Sequence, residues 1–296
     1  MSNLLSIIIL SYNTVDITKR ALDALVASLS QYPLFQAEII VVDNASQDGS
    51  RDMISTYKKS FKSTHISFIS ISNIENEGFP KGNNRGLHNA SGAYVLFMNS
   101  DVIVDSIHWP RLIQYMQKNK NIGALTVKLQ LPNKHIDPAS HRGFPTLWNS
   151  FTYFSQLERL THIIVPLRKV FGGYHLTHLN LNKPHMVEAI SGAFFMAPQK
   201  VLDEIGGFDE EFFMYGEDID LAYRMKEKGY DVMYYPRFTA THLKYQSGLQ
   251  NKQARQTTKK YFYDAMGIFY RKHYAKNHSF LVNSLVNILI DIKSTI

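Results

Sequence analysis

The chain of 296 residues contains no cysteine, and this absence excludes several classes of protein. A disulfide scaffold, a zinc–thiolate site and a cysteine nucleophile all require the missing residue. The lack of cysteine also agrees with a reducing compartment. With 45% hydrophobic residues, the composition is that of a globular protein able to bury a substantial core.

Long apolar runs are missing as well. No stretch approaches the roughly 20 apolar residues that a membrane-spanning helix requires. The N-terminal sequence MSNLLSIIILSYN has neither a basic leader nor a small-residue cleavage site, so we do not interpret it as a signal peptide. We therefore expect a cytoplasmic protein.

The formal net charge of +7 is unevenly distributed along the chain. Between positions 252 and 276 a single acid, Asp264, accompanies the cations Lys252, Arg255, Lys259, Lys260, Arg271, Lys272 and Lys276. Such an excess can attract nucleic acid, anionic lipid or a phosphorylated substrate. Because no nucleic-acid recognition motif accompanies it, we do not expect a nucleic-acid partner.

The first hundred residues alternate apolar strand-like runs with helical segments. The pattern predicts strands at 6–10, 38–42, 66–71 and 94–98, and helices at 16–30, 50–59 and 81–89. This alternation predicts a doubly wound, mostly parallel α/β sheet flanked by helices. In such a sheet, ligands bind beyond the carboxyl ends of the strands, so the polar residues there are the first candidates for a site.

The second half of the chain is less regular. Residues 130–186 are rich in His, Pro, Gly and aromatic residues, and we interpret them as loops and short helices that cover a substrate cleft. Helices are predicted again at 218–228 and from 268 to the end of the chain at 296.

Asp43 ends a predicted strand and precedes a Ser/Asp/Gly cluster in the sequence IIVVDNASQDGS. Its carboxylate can accept hydrogen bonds from a nucleobase or a ribose hydroxyl, or it can cap the next helix. Because Ser46 and Asp48 are better placed for capping, we favour ligand binding for Asp43.

The segment 76–86, NEGFPKGNNRG, combines glycines, a proline and two cations. Its glycines would let the backbone approach a ligand, and Lys81 or Arg85 can meet phosphate oxygens. It is not a Walker loop, and an ordinary turn is the alternative interpretation.

Asp101 follows the strand YVLFMNS, with Asn99 two positions earlier. A hard cation that bridges a diphosphate takes oxygen ligands, commonly one or two carboxylates with the phosphates completing the shell. Asn99 and Asp101 have the spacing of a D-x-D motif whose first acid is replaced by Asn. The pattern fits a metal site and fits equally a turn or cap ahead of Trp109.

The block 208–224, FDEEFFMYGEDIDLAYR, places Glu217, Asp218 and Asp220 at a predicted helix start. The helix dipole stabilises acids there without any catalytic role. The preceding Phe-Phe-Met-Tyr-Gly would, however, put a carboxylate in partly apolar surroundings, which raise its pKa toward that of a general base. His242, after a strand-like run, becomes a candidate ligand only if the fold brings it opposite Asp101.

Four segments in order resemble family 2 glycosyltransferases with the GT-A fold, and among these the rhamnosyltransferase-like group. They are SIIILSYN, IIVVDNASQDGS, NEGFPKGNNRG with the following FMNSDV, and GGFDEEFFMYGEDIDLAYRMKEKGY. The resemblance covers about residues 6–247. We accordingly place a GT-A domain at 1–247, with a nucleotide-sugar half at about 1–105 and an acceptor half at about 106–247. A basic, amphipathic helical extension follows at 248–296.

The resemblance implies a role for each candidate residue. Asp101 would hold a divalent cation, Mn²⁺ or Mg²⁺, and His242 would add a metal or diphosphate contact. Asp218 would be the catalytic base, with Glu217 supporting it or touching the acceptor. The residues expected to bind the donor are Tyr12, Asn13, Asp43, Asn76, Gly78, Lys81 and Asn99. Asn99 departs from the family pattern because it replaces the first acid of the metal motif.

The implied reaction inverts the anomeric configuration of the transferred sugar. Asp218 would remove a proton from an acceptor hydroxyl while the cation neutralises the departing nucleoside diphosphate. The processive members' Q-x-x-R-W motif is missing after Asp218, which favours a single addition. The expected donor is dTDP-L-rhamnose, with galactosyl, glucosyl and N-acetylglucosaminyl donors as alternatives.

The expected acceptor is a saccharide or a polyprenyl-diphosphate-linked saccharide used in bacterial cell-surface polysaccharide synthesis. A sugar nucleotidyltransferase and a non-catalytic nucleotide-binding protein are alternative interpretations. The former normally has a Gly-rich, basic loop after the first strand, where this chain has SYNTVD.

The C-terminal sequence FLVNSLVNILIDI places Asn283, Asn287 and Asp291 on one helical face. The remaining surface is a broad apolar stripe formed by Leu281, Leu285, Ile288, Leu289 and Ile292. Together with the basic stretch upstream, it suits a helix lying on the inner face of the cell membrane, where polyprenyl-linked acceptors reside. Docking on the protein's own core or in a homodimer is the alternative.

Overall fold

The computed structural model describes residues 5–104, 106–244 and 252–295. Its strands are β1 (Leu5–Ser11), β2 (Ala37–Asp43), β3 (Ile66–Ser72), β4 (Tyr94–Asn99), β5 (Val102–Ile103), β6 (Ile122–Gln130), β7 (His185–Val187), β8 (Phe194–Pro198) and β9 (Asp231–His242). Its helices are α1 (Val15–Ser30), α2 (Ser50–Ser60), α3 (Gly78–Leu87), α4 (Trp109–Lys118), α5 (Leu147–Phe154), α6 (Arg168–Phe171), α7 (Gln199–Ile205), α8 (Glu217–Glu227), α9 (Lys252–His273) and α10 (Phe280–Thr295).

The strands form one sheet in the order β3-β2-β1-β4-β8-β6-β9-β5, and β7 also pairs with β9. Strands β1 to β4 are mutually parallel where they pair, which confirms the fold predicted for the first hundred residues. From β8 onward antiparallel pairs appear, although β6 and β9 are parallel. The sheet as a whole is therefore mixed, because the second half of the chain does not continue the strand–helix alternation.

Helices cover both faces of the sheet and leave the central strands without contact to solvent. On β1, Ile7 and Ile9 pack into the core on the side of α1, α2 and α4, whereas Ile8 packs on the side of α3, α7, α8 and α9. Side chains alternate between the two faces of a strand, so a strand buried on both faces reads as a continuous apolar run. Each fully buried side chain of this kind contributes about 1.5–3 kcal/mol.

Helix α3 corrects the interpretation of the glycine-rich segment. The helix begins at Gly78, three residues earlier than predicted, so most of NEGFPKGNNRG is helical. A Cβ atom at Gly82 would lie 2.5 Å from a Leu10 methyl, and one at Gly86 would lie 2.4 Å from an Ile8 methyl. These two glycines therefore let α3 pack closely on β1, a role in the core and not in ligand contact.

The C-terminal region corrects the prediction of one continuous helix from 268 to 296. Helix α9 ends at His273, a 3-10 turn follows at Ala275–Asn277, and α10 begins at Phe280. Helix α9 packs on the core through Ala265 and Phe269. The predicted boundary between residues 247 and 248 lies outside the described residues.

Several cations of the basic stretch upstream of the tail form ion pairs within the protein, so fewer are available to a ligand than the composition suggests. Lys260 pairs with Asp264, Arg271 with Glu211, and Lys272 with Asp209 and Asp220. Within the described ranges, no helix is long and apolar enough to cross a membrane.

Candidate active site

The parallel half of the sheet gathers the predicted strand-end residues at one edge. Ser11, at the end of β1, lies beside Asp43 of β2, and Leu10 lies beside Asn99 of β4. The loops that follow these strands therefore emerge next to one another, as expected for the carboxyl ends of parallel strands.

Asp43 is fully buried at this edge and retains an oxygen without a described partner. Its Oδ2 accepts a hydrogen bond from the Ser46 N–H at 3.2 Å and lies 3.6 Å from Arg51 Nε. Its Oδ1 is buried and makes no hydrogen bond to any described residue. A buried carboxylate oxygen normally has a partner. Oδ1 is thus free to accept a hydrogen bond from a ligand.

Helix α2 does not use Asp43 as its cap, in agreement with the preference stated from the sequence. Asp48 accepts hydrogen bonds from the N–H and hydroxyl of Ser50, the first residue of α2, and from the N–H of Val15, the first residue of α1. The capping task at both helix starts therefore falls to Asp48.

Asn13 braces the loop after β1 against the loop after β2. The N–H of Asn13 donates to the Ser46 hydroxyl at 2.9 Å, and its side-chain oxygen accepts the N–H of Gln47 at 2.7 Å. The residue has a positive φ of 52°, which Asn tolerates better than most residues. Tyr12, beside it, is 40% exposed and available to a ligand.

Asn76 and Gly78 shape a turn that links the carboxyl edge of the parallel strands to the loop before α8. The side chain of Asn44 donates to Asn76 Oδ1 at 2.8 Å, and the Gly78 N–H donates to the same oxygen at 3.0 Å. Gly78 has a φ of 83°, and a Cβ atom there would lie 2.5 Å from the Phe213 carbonyl oxygen. Lys81, in the first turn of α3, is exposed. The donor-binding roles of these residues stay predictions.

Arg85, the other cation of this segment, is bound within the protein. Its guanidinium forms an ion pair with Glu77. The hydrogen bond from Arg85 lowers the pKa of Glu77, with a smaller contribution from the charge of Lys81.

The side chains of Asp101 and His242 lie next to each other although the two residues are far apart in the chain. Asp101 lies between β4 and β5, and β5 pairs antiparallel with the end of β9, with Val102 opposite His242. His242 Nε2 lies 3.3 Å from Asp101 Oδ1, and the Leu243 N–H donates to the Asp101 carbonyl at 2.9 Å. The fold thus brings His242 opposite Asp101, which was the condition for considering it a ligand. Its role as a ligand stays a prediction.

Asp137 holds the other side of the His242 ring and was not among the predicted site residues. This fully buried carboxylate lies 2.7 Å from His242 Nδ1 and accepts a hydrogen bond from Lys244 Nζ at 2.9 Å. Burial opposes the charged form of His242, but the hydrogen bonds to Asp101 and Asp137 and their charges raise its pKa to about 9. In the sequence, HIDPAS reads only as a turn or cap, and Asp137 does accept the Ala139 N–H.

The chemistry of this cluster fits a divalent cation completed by its substrate. Among the described residues no group of three or more His, Cys, Asp or Glu side chains is arranged to hold a metal. Asp101 Oδ1 and, once it has lost its proton, His242 Nε2 are neighbouring donor atoms for a cation, and the Asn99 side-chain oxygen is buried without a described partner. Mg²⁺ sites often combine one or two protein ligands with phosphate oxygens and water. A nucleoside diphosphate would supply those oxygens.

The start of α8 separates the three predicted acids into different environments. Asp218 Oδ2 accepts hydrogen bonds from an Arg142 Nη at 2.6 Å and from the Gly192 N–H at 3.0 Å. Glu217 is buried beside it with Oε2 unpartnered among the described residues, and burial together with the Asp218 charge raises the pKa of Glu217. The apolar environment expected for one of these acids is thus found at Glu217.

Asp220, the third acid, faces away from this pair. It is fully buried and binds Arg224 at 2.7 Å, Lys272 at 2.6 Å and His273 at 2.8 Å. These contacts dock α9 on α8, so Asp220 has a structural role.

Arg142 is a second site residue that the sequence did not reveal. It lies in the irregular region 130–186, and its N–H donates to the Ala189 carbonyl at 2.9 Å. This backbone contact brings the guanidinium to Asp218. This contact brings one residue of the irregular region to the site, while the prediction that the region covers a substrate cleft stays a prediction.

One short turn joins the metal-type cluster to the acid pair. The Asn99 N–H donates to the Ala193 carbonyl at 3.1 Å, and the Gly192 N–H donates to Asp218 at 3.0 Å. Since Gly192 and Ala193 are adjacent, the Asp101 strand end and the start of α8 belong to one site.

Comparison with known proteins identifies the family of this chain. The family model described as "Glycosyl transferase family 2" matches residues 6–171, and "Glycosyl transferase family group 2" matches residues 152–290. The first match spans more than half of the chain. The chain therefore belongs to glycosyl transferase family 2, as the sequence motifs indicated.

The similar curated proteins are named for three different sugars, N-acetylglucosamine, rhamnose and glucose. A poly-beta-1,6-N-acetyl-D-glucosamine synthase of Staphylococcus epidermidis is 23% identical over 79% of this chain and 48% of its own length. Rhamnosyltransferase WbbL of Escherichia coli is 25% identical over 52% of this chain and 53% of its own length. A poly(ribitol-phosphate) beta-glucosyltransferase of Bacillus spizizenii is 32% identical over 41% of this chain and 19% of its own. The chain thus spans about half the length of the first relatives it matches, and less of the third.

Solved structures confirm the fold. GalNAc-T7 with UDP, GalNAc and Mn²⁺ has a TM-score of 0.61 at 14% identity, covering 90% of this chain and 47% of that one. The mannosyltransferase PcManGT from Pyrobaculum calidifontis, in complex with GDP-Man and Mn²⁺, has a TM-score of 0.59 at 16% identity, covering 93% and 66%. The chain has the GT-A type of mixed α/β fold.

Proposed function

We propose that this chain is an inverting glycosyltransferase that moves a sugar from a nucleotide donor to a hydroxyl of a saccharide or lipid-linked saccharide. The observation that carries the proposal is the turn at Gly192 and Ala193. This turn hydrogen-bonds both to the backbone of Asn99 and to the carboxylate of Asp218. Through this turn the Asp101 and His242 cluster, which we propose as the cation site, is connected to the buried carboxylate pair, next to the edge that presents Asp43.

The donor nucleotide would lie along the carboxyl edge of β1, β2 and β4. The free oxygen of Asp43 accepts a hydrogen bond from a nucleobase N–H or a ribose hydroxyl, and Tyr12 supplies an exposed aromatic surface beside it. Asn76, Gly78, Lys81 and Asn99 complete the proposed donor site, with Lys81 directed to phosphate.

The diphosphate would lie against Asp101 and His242, which would hold Mn²⁺ or Mg²⁺ between them. A divalent cation in this place supplies charge neutralisation for the departing nucleoside diphosphate. Asp137 takes part by holding Nδ1 of His242 at 2.7 Å, which leaves Nε2 directed at Asp101.

Asp218 would accept the proton of the attacking acceptor hydroxyl. Arg142 and the Gly192 N–H hold its Oδ2, so the carboxylate keeps one orientation toward the acceptor. Glu217, whose pKa is raised by burial and by the Asp218 charge, would donate a hydrogen bond to an acceptor oxygen. Preorganised groups of this kind lower the barrier because they need no rearrangement during the reaction.

The donor sugar we test first is L-rhamnose from dTDP-L-rhamnose. The similarity to a rhamnosyltransferase over half of the chain supports this choice, and the N-acetylglucosamine and glucose enzymes among the relatives define the other donors to include. The acceptor would be a saccharide of a bacterial cell-surface polysaccharide, free or linked to polyprenyl diphosphate.

A donor screen tests the proposal. The full chain is incubated with dTDP-L-rhamnose, UDP-galactose, UDP-glucose and UDP-N-acetylglucosamine, with Mn²⁺ or with EDTA, and sugar transfer is followed by mass spectrometry. Transfer from one donor that stops with EDTA is expected; no turnover of any donor would contradict the proposal. In calorimetry, Asp101→Ala should abolish the Mn²⁺-dependent part of nucleoside diphosphate binding.

Helix α10 would place the enzyme at the inner face of the membrane. The predicted stripe residues Leu281, Leu285, Ile288, Leu289 and Ile292 are all exposed. Exposed apolar stripes of this size mark interaction surfaces. Replacing Leu285 and Leu289 with Asp in the full chain should reduce binding to vesicles. If it instead converts a dimer to a monomer, the stripe is a homodimer contact.

A further inference from the structure

Residues 147–173 form an excursion that carries much of the exposed aliphatic surface the structure describes. The segment contains α5, two 3-10 turns at Leu157–His162 and Val165–Leu167, and α6. At its outer part Ile163 is 81% exposed and Val165 is 60% exposed. We call the exposed side chains of this part the apolar tip, formed by Leu160, Ile163, Ile164, Val165 and Val170.

The excursion presents almost no negative charge. Between Asp137 and Glu188 the sequence has a single acid, Glu158. Glu158 is buried, accepts the N–H of His175 at 3.1 Å, and lies 2.7 Å from the His175 ring nitrogen Nδ1. Its carboxylate is therefore paired with His175, just beyond the end of the excursion.

Cations flank the apolar tip in the sequence, and no residue that the structure describes forms an ion pair with them. Arg159 and Lys169 are exposed and form no ion pair with any residue the structure describes. Arg168 is half-buried and donates from Nε to the Thr161 carbonyl at 3.1 Å. We call these three residues the basic collar. They contrast with Lys260, Arg271 and Lys272 of α9, which all pair with acids.

The excursion adjoins the corner between α9 and α10. Trp148 of α5 donates from its indole N–H to the Val170 carbonyl at 2.8 Å, which ties α5 to the tip. On its other side Trp148 lines a groove together with Tyr274 and His278 of the corner. Trp148 therefore links the excursion, which carries the apolar tip, to the corner where α10 and its exposed stripe begin.

We propose that the apolar tip and the basic collar bind the surface of a lipid bilayer with anionic headgroups. The aliphatic side chains would enter the interfacial layer while the cations meet the headgroups, as basic and apolar residues do in peripheral membrane segments. This inference rests on the peripheral location proposed for the enzyme and adds a second membrane-binding surface to the one proposed on α10. A soluble polyanion would not bury the aliphatic tip, and in a contact between two copies the like-charged collars would repel each other.

Vesicle binding of the full chain tests the proposal. Ile163→Asp with Val165→Asp removes the apolar tip, and Leu34→Asp with Ile74→Asp is the matched control, because those residues are 95% and 96% exposed elsewhere. On vesicles containing phosphatidylglycerol, the tip variant should bind at least about tenfold more weakly and the control like the wild type. Arg159→Gln and Lys169→Gln should each weaken this binding about fivefold.

Several outcomes would overturn the proposal. These are equal binding by the tip variant and the wild type, no binding by the wild type, or equal binding to phosphatidylcholine and phosphatidylglycerol. A wild-type dimer that the tip variant dissociates, seen by sedimentation velocity, would show a contact between copies instead. Donor turnover with a soluble acceptor is measured on the same proteins. It should be unchanged in the tip variant, so a failure of the proposed activity is recognised separately.

Discussion

The two halves of the sheet build their parts of the site in different ways. In the parallel half, the polar contacts join loops that follow neighbouring strands, such as Asn13 with Ser46 and Asn44 with Asn76, which are 33 and 32 positions apart. In the mixed half, Arg142 reaches Asp218 over 76 positions and Asp137 reaches His242 over 105. Regular alternation brings consecutive loops together, whereas the mixed half depends on where the chain returns to the sheet.

We expect the parallel half to bind the nucleotide and the mixed half to supply the acid pair, while the cation cluster joins the two halves through Asp101 after β4 and His242 of β9. Substitutions in the acid pair should then reduce turnover and those in the cation cluster should reduce metal binding, whereas substitution of Asp43 should weaken nucleotide binding alone. The following variants are ordered from the largest expected effect to the smallest.

Asp218→Asn should reduce the transfer rate by about a thousandfold or more, because general-base catalysis contributes about 10²–10⁴-fold and the variant also loses the charge paired with Arg142. Steady-state transfer measures the rate, and calorimetry should show unchanged donor affinity. Glu227→Gln, an exposed acid on the same helix, is the control. Near-normal turnover in Asp218→Asn would mean that another residue is the catalytic base, and Glu217 would be tested next.

Asp137→Asn should weaken Mn²⁺ binding by about 10–100-fold, as seen for groups that orient a metal-bound histidine. The affinity is measured by titrating Mn²⁺ into the protein with a nucleoside diphosphate present. Lys244→Gln removes a neighbouring contact of Asp137 but leaves the His242 ring held, so its effect should be smaller. Unchanged Mn²⁺ affinity in Asp137→Asn would limit Asp137 to a role in folding.

Protonation of the Asp220 carboxylate should lower the stability of the protein in acid. Burial alone would raise the pKa of this carboxyl, but its bonds to His273, Arg224 and Lys272 lower the pKa from its ordinary value of 3.8 to about 2. A folded-state pKa below the unfolded value stabilises the fold above the unfolded pKa. This contribution, about 2 kcal/mol, disappears as the pH falls from about 4 to 2.

Urea unfolding between neutral pH and about pH 2 measures this effect. Asp220→Asn should be less stable at neutral pH and should decline less steeply in acid. Asp264→Asn, which breaks a surface pair with Lys260, should change stability little, because exposed ion pairs are screened by solvent. An unchanged acid profile in Asp220→Asn would mean that other carboxylates dominate.

Asp43→Asn should weaken nucleotide binding about tenfold, because a hydrogen bond to a charged acceptor contributes about 1.5–3 kcal/mol. The rate at saturating donor should be nearly unchanged. Asp52→Asn, an exposed acid in the first turn of α2, should bind nucleotide normally. A large loss of turnover at saturating donor would contradict the separation of the two halves.

The strands and helices of the parallel half were largely readable from the sequence. Apolar runs bounded by polar loops predicted β1 to β4 and α1 within one or two residues. The start of α3 was missed because glycine and proline normally interrupt helices. The missed residues are 78–80, with Gly78 and Pro80; Gly82 and Gly86, which the predicted helix already contained, let α3 approach β1 closely. Packing against the sheet outweighed local preference.

In the mixed half, the sequence indicated candidate residues but not their partners. Glu217 and Asp218 were visible as acids at a helix start, yet nothing local distinguishes the carboxylate bound by Arg142 from the buried one whose pKa is raised. The tail was predicted as one helix because the break between α9 and α10, YAKNHS, contains neither glycine nor proline.

The sequence by itself determined the family, the parallel half of the sheet and the strand-end positions of Asp43 and Asp101, because these follow from patterns within short stretches of chain. Only the tertiary structure decided that His242 lies between Asp101 and Asp137, and that Arg142 holds Asp218. Those contacts join residues far apart in the chain. Their formation depends on the antiparallel return of β9 along β5 and on the backbone contact of the irregular region at Ala189.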